Sequence, residues 1–273
     1  FFFKQKTAYE IVDCDWSSDV CSSDLGGMSA SQDSILAELA VVARERERRA
    51  ADPALAAQVS ALKHYQQQRF ARSHAALLAD PRFGDAARFF LDDLYGPQDF
   101  STRDAQFARI VPALVRLFPQ EIVETVHALA ALHALSEALD TEMAVALGAD
   151  APARASYTRA WQAVGRPQDR GRQLAMVLEL GRQLQHYTGR RLLRQSLRLM
   201  RGPARAAGLG ELQAFLERGF DTFGAMGAQA ATFLDRVQAR ESALMARLFE
   251  PDAVAAAALA GEPGVADAIG QLP

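Results

Sequence analysis

The chain has 273 residues, with 30 Lys plus Arg against 33 Asp plus Glu and a formal charge of −3. So even a balance gives no overall basic footprint of the kind that holds nucleic acid through its phosphates. The length is enough to bury a sizeable core in one domain or two small ones.

The first residues stand apart. Residues 4–11 and 15–25 translate back, in frame, into two blocks of a common sequencing-library adapter, with residues 12–14 as a short index between them. Residues 1–27 are therefore expected to be a non-native, disordered segment, with the native chain starting at Met28. From there the basic count is 28 (30 less Lys4 and Lys6). The acidic count is also 28 (33 less Glu10, Asp13, Asp15, Asp19 and Asp24). Cys14 and Cys21, the only cysteines, fall in the excluded segment. The chain from Met28 onward can make no disulfide, thiolate nucleophile, iron–sulfur cluster or cysteine-ligated zinc site. Lys63 is the one remaining lysine, and its polar helical stretch argues against Schiff-base chemistry. The bias toward Arg and Ala points to a GC-rich genome.

Helix formers dominate, and alternating β-branched runs are missing. Residues 34–49 form a first helix ending in a mixed-charge run. Asp52 followed by Pro53 is a cap with proline at the first helical position. It opens a long helix striped by Leu55, Val59, Leu62, Phe70 and Leu77. Asp80 and Pro81 repeat the device before residues 82–95, which Gly96 and Pro97 end. Ser101 and Asp104 read as a capping-box start for residues 101–118, which Pro112 should kink. Pro119 begins a helix to about residue 147, closed by Gly148. Residues 150–152 are a loop and the best internal boundary. Residues 154–164 and 170–188 are helical, as are 190–207 with a break at Gly202 and Pro203. After a turn at 208–210, residues 211–249 are helical, with Gly219, Gly224 and Gly227 marking a bend or close helix contact. No fixed-period repeat is present.

The fold class expected is all-α: an antiparallel multi-helix bundle of about eight to ten helices with no sheet. The domain spans 28–249, with lobes at 28–148 and 153–249 as an option, and 250–273 form a flexible Ala/Gly-rich tail. No apolar run long enough for a membrane span and no secretory leader are read, so a cytoplasmic protein is expected.

Three polar constellations are candidates. The helix after Pro119 has the stripe Ile122, Val126, Leu129, His133, Ser136, Asp140, Met143 and Leu147, with Glu137 one turn from His133. Polar groups in a bundle core need partners, and such clusters are where ligand sites are built. The same residues equally fit a solvent-facing segment or a structural network. Between two helices, Tyr95, Asp99, Arg103 and Asp104, with Arg109 beyond, could line a polar pocket, or could serve as caps and ion pairs. Arg191, Arg194, Arg198, Arg201 and Arg205 form one helical stripe. It fits an anionic or acidic partner, or a solvated face paired with acidic neighbours. No aromatics interleave it, so base stacking is not indicated. Glu124 and His127 have Glu-x-x-His spacing, but no second such motif accompanies them. No metal and no cofactor is expected.

Residues 89–104, the following Ala105-Gln106-Phe107-Ala108-Arg109-Ile110-Val111-Pro112, and Met200-Arg201-Gly202-Pro203-Ala204-Arg205 resemble an uncharacterised all-helical family of proteobacterial proteins. The likeness extends over most of 28–249. It implies a helical fold and no known activity. The leading expectation is a non-enzymatic interaction or regulatory protein with a protein partner or a second copy. The alternative is a bundle that binds a small ligand or metal around His133, with enzymatic activity as an option.

Overall fold

A computed structural model describes residues 30–94, 100–259 and 268–273. The adapter-like segment, Tyr95, Asp99 and the middle of the expected tail lie outside the described residues, as does the side chain of Arg191.

The described chain is all helical, without strands. Its elements are α1 (Gln32–Ala50), α2 (Pro53–Ser73), α3 (Ala75–Ala79), α4 (Gly84–Phe89), α5 (Ser101–Leu117), α6 (Gln120–Leu147), α7 (Arg154–Val164), α8 (Pro167–Thr188), α9 (Arg191–Leu199), α10 (Arg201–Ala206), α11 (Gly210–Met226), α12 (Ala230–Leu248) and α13 (Ala253–Leu259). Local chemistry sets many of the ends. Asp52 accepts from the amides of Ala54 and Leu55 at 3.1 Å each, and Pro53 needs no donor there. Asp80 accepts from the Arg82 amide at 2.9 Å but shapes a turn rather than a helix start, since α4 begins only at Gly84 with Phe83 at its cap position. Ser31 and Ser34 exchange reciprocal bonds at the start of α1. Gly148 closes α6 at a φ of 59°, which disfavours a side chain.

Three expectations need correction. Ser101 and Asp104 form no capping box: Phe100 occupies the cap position, and Asp104 is drawn away into ion pairs. The break expected at Gly202 and Pro203 falls at Met200. Pro203 is instead tolerated near the start of α10, where its missing N–H costs no helical bond. The described parts of the tail are packed rather than frayed. Ala253, Ala257, Ile269 and Leu272 are buried, and the Leu272 carbonyl accepts from Arg72 and Arg154.

Helix α6 is the axis, with α1, α2, α7 and α8 packed around it. It is also the one described helix long and apolar enough, by length and composition, to cross a membrane. The largest core cluster joins Phe70, Phe83, Phe89 and Phe90 to Phe215, Phe223 and Phe233. Phe90 sits amid them, edge-on to Phe233 at 5.4 Å and 6.2 Å from Phe223. This cluster draws on both sides of the 150–152 loop, so the core is continuous across that boundary. A second cluster at the other end of α6 holds Tyr65, Met143, Tyr157 and Leu248, together with Ile269 from the tail.

Candidate functional site

The middle of α6 carries polar residues inward because its neighbours supply opposite charge. Glu137 is buried at 5 % exposure. Its carboxylate accepts from Arg49 on α1, and from Lys63 Nζ on α2 at 2.6 Å. Burial alone would raise its pKa; the two cations outweigh that and bring it from 4.5 to about 2. One turn on, Asp140 accepts from Gln66 at 3.1 Å and lies 3.9 Å from Lys63. Burial outweighs the pull of Lys63 and Arg170, and with the Glu137 charge nearby it pushes the Asp140 pKa up. Ser136 accepts from Gln173 on α8 at 2.8 Å.

His133 points to a different helix. Its Nε2 lies 2.7 Å from Asp104 Oδ2 on α5. Arg46 of α1 donates to the same oxygen at 2.5 Å, and Arg103 stands 3.7 Å from the other. Burial works against the Asp104 charge, but the His133 and Arg46 hydrogen bonds hold its carboxyl below the ordinary range. Arg103 lies over Phe100 at 3.9 Å and Phe215 at 4.6 Å, and donates to the Asp93 carbonyl.

The structure thus joins two groups that the sequence kept separate, the His133 stripe of α6 and Asp104 at the start of α5. Arg109 is elsewhere: it donates to the Ala207 carbonyl and lines an open surface depression with Ser101, Thr102 and Gln106. In the arginine stripe, Arg198 pairs with Asp221 at 3.3 Å and Arg201 with Glu217 at 2.6 Å, both on α11. Arg194 packs on Gly224, where a Cβ would fall 1.7 Å from its Nη2. Arg205 is exposed.

Sequence reasoning missed the partners Arg46, Arg49 and Lys63. Lys63 is not merely a residue of a polar stretch: it is largely shielded between two carboxylates. Also missed was a cluster on α2 and α12. Glu241 accepts from Arg69 at 2.5 and 2.7 Å and lies 2.8 Å from His74 Nε2. Burial opposes its charge, yet Arg69 and His74 bring its pKa to about 2. Asp93 is likewise held by Arg218. The one sequence signal was an arginine or histidine flanking a buried aromatic, as at Arg69, Phe70 and His74.

Among the described residues no group of three or more His, Cys, Asp or Glu is placed to hold a metal ion. Chemically, each cluster is a carboxylate clamped by cations from other helices, an arrangement that fixes helix position.

No curated protein and no solved structure matches the chain. A family model described as Domain of unknown function (DUF8198) matches residues 45–255. That range is well over half of the sequence and takes in α2 to α12 complete, so the chain belongs to this family.

Proposed function

We propose that this chain is a non-enzymatic interaction protein of the cytoplasm, a rigid helical scaffold that meets an acidic protein partner through α9 and α10. The observation that carries this reading is the junction of those helices. Leu199 is 79 % exposed and Met200 52 % exposed, between the exposed Arg198 and Arg201. From residue 180 to residue 210 the sequence contains no Asp or Glu. The pairs that Arg198 and Arg201 make with α11 are solvent-exposed, and such pairs are worth about 0–1 kcal/mol, so an incoming carboxylate can compete with them. Exposed apolar side chains among arginines combine an anchor with charge selection.

The interior supports the same reading. Glu137, Asp104 and Glu241 are each held by cations from another helix. A scaffold uses buried charge in this way, to set helix register.

The test is capture of partners by the full chain beside a Leu199→Asp, Met200→Asp double variant. An acidic protein retained by the parent and lost by the variant, at equal melting temperature, supports the proposal. Equal retention by both proteins, or retention by neither, overturns it.

A further inference from the structure

Arg170, on the first turns of α8, is 4 % exposed. Its guanidinium lies over the Trp161 ring at 4.0 Å from the centroid. Two of its nitrogens, Nε and Nη2, are buried without any hydrogen-bond partner in the protein. These two are not an arbitrary pair. Their N–H bonds point the same way and form the side-on fork with which arginine grips both oxygens of a carboxylate.

The chain shows elsewhere what this fork does. Arg82 presents Nε and Nη2 to Asp80 at 3.0 and 2.8 Å. Arg201 presents them to Glu217 at 3.0 and 2.6 Å, and Arg218 presents them to Asp93. At Arg170 the surrounding carboxylates are committed to other cations. Glu142 and Asp169 bind Arg166, at 2.5 and 2.8 Å. Glu137 binds Arg49 and Lys63. Asp140 bonds Gln66, and burial pushes it toward its neutral form. Arginine cannot shed its charge to escape burial. A buried cation with both fork donors unpaired is costly, and native proteins satisfy such donors. Trp161 Nε1, on the ring that Arg170 covers, is another buried donor without a partner.

We propose that Arg170 and Trp161 form a binding site for a small carboxylate, received by the Nε/Nη2 fork of Arg170. This goes beyond the interaction surface at α9 and α10 and does not depend on it. The Trp161 ring, 4.0 Å from the guanidinium, supports it through a cation–π contact that uses none of its N–H donors. Buried donors make such a site selective, because a ligand without the matching acceptors leaves them unpaired.

The test uses the full chain labelled with nitrogen-15 and reads the Arg170 Nε–H and Trp161 Nε1–H resonances. Sodium acetate is titrated at constant ionic strength against sodium chloride. Acetamide, the neutral isostere, is titrated in parallel. The expected result is a saturable shift of both signals with acetate, and none with acetamide or chloride. In Arg170→Lys, which keeps the charge and loses the fork, affinity for acetate should fall at least tenfold. A linear shift shared by acetate and chloride, or no shift, overturns the proposal and leaves water as the partner of these donors. The acetamide comparison needs no variant, so it stands even if Arg170→Lys does not fold.

Discussion

His133 Nε2 and Asp104 Oδ2 are 2.7 Å apart, and that contact fastens α5 to the axial helix α6. Arg46 of α1 reaches the same carboxylate oxygen, so three helices meet on one side chain. Replacing Asp104 by Asn keeps the shape and removes the charge. We expect a loss of about 2 kcal/mol in equilibrium urea unfolding, since a charge-assisted bond is weakened and Arg46 loses its counter-ion.

The three cation-paired carboxylates fix the response to acid. Glu137 and Glu241 both titrate near 2 in the folded protein instead of 4.5, and Asp104 is also lowered. A depressed folded pKa contributes stability that is complete above the unfolded value and is lost as pH falls through the folded one. Stability should therefore hold above about pH 4.5 and fall steeply toward pH 2. Urea midpoints measured at stepped pH check this. A midpoint that does not change down to pH 2 would contradict the pairings.

Phe90 is fully enclosed by rings from α2, α11 and α12. Phe90→Ala should cost roughly 3–5 kcal/mol, because the surrounding rings cannot collapse far enough to fill the gap. Because that core crosses the 150–152 loop, unfolding should remain a single transition by circular dichroism and by tryptophan fluorescence. Two separated transitions would point to independent lobes.

What could be read from the sequence was local. Asp52 and Gly148 announce helix ends through short-range chemistry, and the structure uses both. Residues 154–164 are likewise bounded by their neighbours, Pro152 before and Gly165 after. The polar interruption at the middle of α6 is also visible, since His133, Ser136 and Asp140 break an apolar stripe. Their partners are not. Arg49 is 88 positions from Glu137 and Lys63 is 74, and no periodicity encodes such pairing. Glu137 lies off the stripe, yet it is the most buried of the set, because α6 is covered on several sides and has no single inner face. Asp104 misleads for a related reason. Its position three residues after Ser101 suits a cap, but Arg46 and His133 from other helices outcompete a backbone amide.

The central claim is that the polar interior is scaffold, and Glu137→Gln tests it most directly. The change leaves Arg49 and Lys63 without their shared carboxylate inside the bundle. Breaking a buried pair from one side costs about 3–5 kcal/mol, so a fall of that size in the unfolding free energy is predicted. Unchanged or raised stability would contradict the account, because it would mark Glu137 as a residue held at the expense of stability for some other purpose.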